Sequence, residues 1–206
     1  MRYGFRSLAL LVLALATSGC GYNRIQQLDE QVSQAQGQIE TQLQRRADLI
    51  PSLVNTVRGF AAQEERVLTE VTRARAGLMG ALQTGDPEQM ANANAQLTGA
   101  LRQLVVSVEA YPNLKSDQTF IRLMDELAGT ENRIAVSRQD YNTAVGSYNS
   151  YIRQFPQNLT AKVTGAQQRK YFTASAEAQG GPPPVQFDTS RPAPSGAVPA
   201  PAPANP

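Results

Sequence analysis

The sequence predicts an all-α protein: a long antiparallel helical bundle with three main helices, the first long and kinked at a proline, and a disordered C-terminal tail. Three observations predict this class. Apolar residues recur at every third or fourth position over long stretches, turn-forming residues separate these stretches, and no segment shows the alternation of a β-strand. The connections are short, which makes successive helices antiparallel neighbours.

The first helix is predicted from Ile25 to about Thr84. Pro51 lies inside this stretch, where it removes one helical hydrogen bond and clashes with the carbonyl four residues earlier. The helix therefore either kinks between Ala47 and Pro51 or restarts there. We expect a kink, because the apolar stripe keeps its phase across the proline. The stripe contains Ile25, Leu28, Val32, Ala35, Ile39, Leu43, Ala47, Ile50, Val54, Val57, Ala61, Leu68 and Val71.

A turn then separates the first helix from the second. Gly85 suits the end of a helix, Asp86 suits an N-cap, and Pro87 suits the first helical position. These residues predict a second helix from Pro87 to about Tyr111.

The third helix is predicted from near Ser116, a good N-capping residue, to Phe155-Pro156. The apolar signal weakens over residues 157–176. In that segment, four residues could form a short amphipathic piece lying on the bundle: Leu159, Val163, Tyr171 and Phe172.

Residues 1–20 have the layout of an export signal. Arg2 and Arg6 form a positive start, and an apolar run follows from Leu8 to Ala16. That run is shorter than the ~20 residues of a membrane-spanning helix. The segment is therefore predicted to be a signal peptide rather than a permanent membrane helix.

The string Ser18-Gly19-Cys20 resembles a bacterial lipobox, although Thr17 stands where Leu, Val or Ile is usual. The resemblance implies that Cys20 is acylated and becomes the mature N-terminus. Two or more acyl chains give stable membrane anchoring. The alternatives are an uncleaved signal anchor, or cleavage nearer Ala16 that leaves a free thiol.

The predicted helical domain spans residues 22–176, and the tail spans residues 177–206. Nine of the 13 prolines fall in residues 182–206, among Ala, Gly and Ser. Such a segment buries too little apolar surface to order itself and favours extended polyproline II. We expect the tail to be disordered.

Composition argues against an enzyme and against nucleic-acid binding. The chain has 19 Lys+Arg and 17 Asp+Glu, and removal of Arg2 and Arg6 with the leader leaves 17 against 17. A nucleic-acid interface needs a cluster of cations, and the sequence contains none. The chain has no His, which removes the commonest general base and zinc ligand. No metal-ligand spacing and no phosphate-binding loop is present, so no cofactor is predicted.

The most distinctive polar residues are Arg45, Arg46 and Asp48 near the proline, and Glu131 and Asn132 on the third helix. One interpretation is a set of ion pairs between helices that fixes their register. The other is a site for an anionic ligand or a partner. Adjacent pairs such as Glu64-Glu65 do not face each other on a helix, so they do not make a catalytic pair.

Several strings resemble the signature of LemA-family proteins, in order along the chain. They run from Gln42 to Pro51, from Tyr111 to Lys115 and from Thr130 to Ala135, followed by Asp140-Tyr141-Asn142, Tyr148-Asn149, Phe155-Pro156 and Tyr171-Phe172. The resemblance covers about residues 22–173. It implies an N-terminal membrane attachment, an extracytoplasmic helical domain and no known catalytic residues.

These observations favour a membrane-anchored, extracytoplasmic scaffold or adaptor of the bacterial envelope. Its expected partners are the membrane, through the lipid anchor, and another envelope protein or a second copy of the chain. The alternative is an envelope protein that binds a small ligand or anion through Arg45, Arg46, Asp48 and Glu131. In a Gram-negative host the domain would be periplasmic, and Gly21 after Cys20 resembles lipoproteins sent to the outer membrane.

Overall fold

The computed structural model describes residues 2–174, with side chains described from residue 21 onward, and it confirms the all-α class. Within these residues the chain forms six helices and no strand. They are α1 (Arg2–Phe60), α2 (Glu65–Thr84), α3 (Pro87–Val108), α4 (Pro112–Lys115), α5 (Gln118–Arg153) and α6 (Gln157–Thr164). The side chain of Cys20 and the tail at 177–206 lie outside the described part, so both remain sequence-based predictions. None of the described helices has the length and apolar character needed to span a membrane.

The predicted first helix is in fact two helices, so the described bundle has four main helices rather than three. The chain turns at residues 61–64, where Ala61 N donates to Val57 O at 2.8 Å and Glu64 N donates to Ala61 O at 3.1 Å. The apolar stripe concealed this turn because Ala61 is itself buried and stays in phase with the residues on both sides. Helix α2 then folds back antiparallel along α1.

Helix α1 continues through Pro51 and does not restart there. Proline has no N–H, so the carbonyl of Ala47, four residues earlier, loses its helical donor. Arg75 of α2 replaces that donor, because its Nε donates to Ala47 O at 2.8 Å. A contact between two helices thus satisfies the backbone group that the proline leaves free.

The turns into α3 and α5 are fixed by aspartate caps. Gly85 adopts a left-handed φ of 65°, and the Asp86 side chain then accepts hydrogen bonds from the first backbone N–H groups of α3. Asp117 caps α5 by accepting from Thr119 N and Phe120 N. The predicted cap, Ser116, is one residue away from the observed one.

The main helices run up, down, up and down. Helix α5 is antiparallel to α1 along most of its length, and α3 packs chiefly on α2. The remaining chain returns along the outside of the α1–α5 pair. Arg169 binds Asp29 of α1 through two hydrogen bonds of 2.9 and 2.8 Å, and the Tyr141 hydroxyl of α5 donates to Lys170 O at 2.8 Å. The bundle therefore has four helices at one end and, at the other, two helices covered by α6 and an extended segment.

Helix α6 forms where a short amphipathic piece was predicted, but its apolar side faces outward. Leu159 is 54% exposed and Val163 is 88% exposed, whereas Ala161 is buried against the bundle. Of the two aromatic residues that follow, Phe172 is buried and Tyr171 is exposed. The expected packing of Leu159 and Val163 is therefore wrong.

Candidate functional site

Among the five polar residues singled out from the sequence, the structure brings Arg46 and Glu131 together. Arg46 is 3% exposed, and its guanidinium forms an ion pair with the half-exposed Glu131 carboxylate of α5. The position of Arg46 on the core side of α1 follows from its spacing, since it lies three residues after Leu43 and four before Ile50.

The other three residues do not join this pair. Arg45, Asp48 and Asn132 are all exposed. Asp48 accepts a hydrogen bond of 2.9 Å from Gln44 Nε2 within its own helix. Consecutive helical residues point ~100° apart, which explains why Arg45 faces solvent while Arg46 faces the core.

Two partners of Arg46 were not predicted. Its Nη1 also donates to Asn94 Oδ1 at 2.5 Å and to Thr98 Oγ1 at 3.1 Å, both on α3. The sequence held a signal for Asn94, because it lies four residues after Met90 and three before Leu97 in the apolar stripe of α3. A polar residue at such a position needs a buried partner.

Burial lowers the pKa of the Arg46 guanidinium, because removal from water disfavours the charged form; the negative charge of Glu131 opposes this effect. The guanidinium connects three helices, since it belongs to α1 and binds both α3 and α5. We call Arg46, Asn94, Thr98 and Glu131 the arginine bridge.

An open groove lies outside the arginine bridge, between α3 and α5, with a volume of about 970 Å³. Asn94, Thr98 and Glu131 all line it, so the bridge forms its base. Small residues recur at every fourth position of the α3 wall, among polar ones such as Asn92 and Gln96, and the α5 wall contributes another small residue. These are Ala91, Ala95 and Gly99 on α3, and Ala135 on α5.

The rim of the groove carries two exposed cations, Arg102 of α3 and Arg138 of α5. The one carboxylate among the lining residues is Glu131, which already faces Arg46. The groove therefore presents a positive rim over a nearly neutral base. Phe172, Thr173 and Ala174 line it as well.

The groups in the groove that could take part in acid–base chemistry are few: the hydroxyls of Thr98 and Thr173, and the Glu131 carboxylate, which already faces Arg46. Across the part of the chain that the structure describes, no group of three or more Cys, Asp or Glu side chains is placed to hold a metal ion.

Known proteins resemble this chain over most of its length. The sequence model of the LemA family matches residues 35–187. Magnetosome proteins MamQ 1 and MamQ 2 of Paramagnetospirillum magneticum are each 28% identical over 189 residues, covering 81% of this chain and 70% of the relative. Protein LemA of Metamycoplasma hominis is 23% identical over 154 residues, covering 74% of this chain and 69% of the relative. Since the family match covers well over half of the sequence, this chain belongs to the LemA family.

Proposed function

We propose that the chain is a membrane-anchored, extracytoplasmic helical adaptor of the bacterial envelope, and that the groove between α3 and α5 binds a segment of a partner protein. The observation that carries the proposal is the arginine bridge at the base of the groove. It holds α3 and α5 at a fixed separation and leaves the space outside them open.

A bridge of this kind is an unusual way to fill the space between helices. Well-packed apolar side chains of similar volume often stabilise a core as well as a buried ion pair does, or better. A charged spacer is instead suited to fixing the relative position of helices. The fixed spacing favours a preformed binding surface, which lowers the ordering cost of binding.

The lining of the groove indicates what kind of segment fits. Ala95 and Gly99 are accessible and have little or no side chain, so another backbone can approach α3 closely at these positions, whereas Ala91 is buried. The exposed Arg102 and Arg138 favour acidic or polar side chains in the partner and disfavour basic ones. The groove is open along its outer side, which suits an elongated segment.

The anchor is proposed from the sequence of the leader and from Cys20. If the N-terminus is lipidated, α1 carries the groove away from the membrane. Twenty-five residues separate Gly21 from Arg46, and at ~1.5 Å per residue this corresponds to about 40 Å. An adaptor needs this separation, because its partner must reach the groove without contacting the bilayer.

A small anionic ligand is the second candidate, and the cations on the rim of the groove favour it. The buried guanidinium does not add to it, because Arg46 already faces a carboxylate and two neutral acceptors. Arg45 and Asp48, which the sequence grouped with this site, lie on the exposed surface of α1. Neither candidate requires catalysis, and the names of the relatives, LemA and magnetosome protein, mention no enzyme activity.

The test is site-specific photo-crosslinking in living cells. The photoreactive residue replaces Ala135, an exposed alanine in the groove, or Ala76, an exposed alanine on α2 outside it. The proposal predicts a discrete protein adduct from Ala135 and none from Ala76. An adduct equally strong from both positions, or from neither, contradicts it; absence of a protein adduct together with specific binding of a small anion supports the second candidate.

A further inference from the structure

The end of the bundle that carries the N-terminus of α1 has an exposed apolar surface. Four exposed apolar residues lie at this end, and we call them the basal surface: Tyr22 (45% exposed), Phe155 (80%), Leu159 (54%) and Val163 (88%). Apolar side chains gathered at one place on a soluble surface usually mark an interaction site.

The orientation of α6 produces this surface. Leu159 and Val163 lie one turn apart on its outer side, and Ala161 on the opposite side is buried against the bundle. The ideal Cβ position of Gly21 lies 3.5 Å from the Thr160 hydroxyl. Helix α6 therefore lies at the level of the residue that directly follows Cys20.

The charge around the basal surface has one sign. Residues 149–168 contain Arg153 and Lys162 but no Asp or Glu. Both side chains are exposed, as is that of Arg24 on α1. The nearest described carboxylate on α1, Asp29, is already bound by Arg169. Exposed apolar residues next to uncompensated cations are typical of a helix that lies in the interface of an anionic membrane.

We propose that the basal surface inserts into the headgroup region of an anionic phospholipid leaflet, the one to which the N-terminus is attached. This inference rests on the anchoring in the proposed function. The apolar side chains enter the boundary of the acyl chains, and Arg24, Arg153 and Lys162 extend to the lipid phosphates. Two attachments at one end, the lipid and α6, then hold the bundle at a fixed angle and direct the groove away from the membrane.

Tryptophan fluorescence tests the proposal, because the chain has no Trp of its own. The V163W variant places an indole in the basal surface. The V106W variant is the matched control, since Val106 is 69% exposed at the other end of the bundle. Each full-length chain is purified from the producing cell and reconstituted into vesicles of phosphatidylethanolamine and phosphatidylglycerol. We expect the V163W emission to shift to shorter wavelength and to be quenched by brominated lipid, and the V106W emission to remain that of indole in water.

Flotation of the vesicles in the same samples reports on the anchor separately. If the chain floats with the vesicles while the V163W emission remains that of indole in water, the chain is anchored but the proposed insertion of the basal surface is wrong. If the chain does not float, the proposed anchor is wrong; the single thiol of Cys20 is then coupled to a maleimide-bearing lipid, and the V163W spectrum decides the insertion. A blue shift without vesicles that grows with protein concentration overturns the proposal in favour of a second copy as the occupant.

Discussion

A buried guanidinium is stable only when its charge and its N–H groups find partners, because the loss of hydration costs several kcal/mol. The Arg46 Nη1 atom finds partners in Glu131, Asn94 and Thr98, whereas its buried Nε has no hydrogen-bond partner. The two members of its ion pair differ in exposure: the Arg46 side chain is 4% exposed, and that of Glu131 is 44% exposed. Removal of Arg46 and removal of Glu131 should therefore lower the free energy of unfolding by different amounts.

Replacement of Glu131 by Ala leaves a buried cation without a counter-charge, and we expect it to reduce the free energy of unfolding by about 3 kcal/mol. Replacement of Arg46 by Met leaves the buried Glu131 Oε2 without its partner, but the Glu131 side chain is 44% exposed and can turn its carboxylate into water, so the loss should be nearer ~1 kcal/mol. Urea unfolding of both variants measures the difference. Equal losses, or a greater loss for Arg46→Met, would show that the asymmetry of burial does not control this pair.

Tyr141 gives the fold a dependence on alkaline pH. Burial raises its pKa to about 12 from its usual value of about 10, and its hydroxyl donates to Lys170 O. Above pH ~10 the unfolded chain loses the phenolic proton while the folded chain keeps it, so stability falls until the pH reaches about 12. We expect this group to contribute about 2 kcal/mol of the loss. Urea unfolding at pH ~9 and ~11 measures this loss. Between these two pH values the free energy of unfolding should decrease less for Tyr141→Phe than for the parent chain. An identical decrease in both chains would show that Tyr141 is not the group responsible.

At the scale of the helices, the proline in α1 and the arginine in α2 form one unit. Because Pro51 frees the Ala47 carbonyl and Arg75 donates to it, the two substitutions should not be additive. Arg75→Met alone leaves a buried carbonyl without a donor and should cost about 1–2 kcal/mol. In the Pro51→Ala background the restored N–H of residue 51 donates to that carbonyl, so the same change should cost about 1 kcal/mol less. Additive costs from a double-mutant cycle would mean that Arg75 does not replace the missing donor.

Most helices could be predicted from the sequence, because apolar spacing and caps are local signals. Asp86 and Pro87 marked the start of α3, and the start of α5 was predicted to within a few residues. The turn between α1 and α2 was missed because Ala61 keeps the apolar stripe in phase through it. The outward face of α6 was missed because only the tertiary position of that helix decides which of its sides meets the bundle.

Part of the candidate site could be predicted in the same way. The string around Pro51 drew attention to Arg46, and the polar residues of the predicted third helix drew attention to Glu131; the resemblance to the LemA family, now confirmed, includes both segments. The groove itself could not be predicted. It depends on the distance between α3 and α5, which are neighbours in the sequence through α4 but pack chiefly on other helices. The spacing of apolar residues within one helix contains no information about that distance.

At the scale of the whole molecule, the proposed function joins an anchor at one end to a groove further along the bundle. The anchor has a direct test in the mature N-terminus. We expect mass spectrometry of the chain purified from membranes to find an acylated Cys20 as the first residue. A free thiol at Cys20, or a mature chain that begins at another residue, would show that the leader was misinterpreted.

The central claim is that the groove over the arginine bridge holds a partner segment, and filling the groove tests it most directly. Gly99 lines the groove, and a Cβ there meets no heavy atom within 4 Å, so a side chain can start at this position without a clash, and we expect the ring of Gly99→Phe to extend into the open groove. Replacing a helical glycine also favours the helix by up to about 1 kcal/mol, so the bundle should remain folded.

The measurement is the yield of the in-cell crosslinked adduct from Ala135, with and without Gly99→Phe, in chains of matched abundance and thermal stability. The proposed function predicts that the adduct forms in the parent and is lost in the Gly99→Phe chain while the melting temperature is maintained. An adduct that forms with unchanged yield when the groove is filled would contradict the claim.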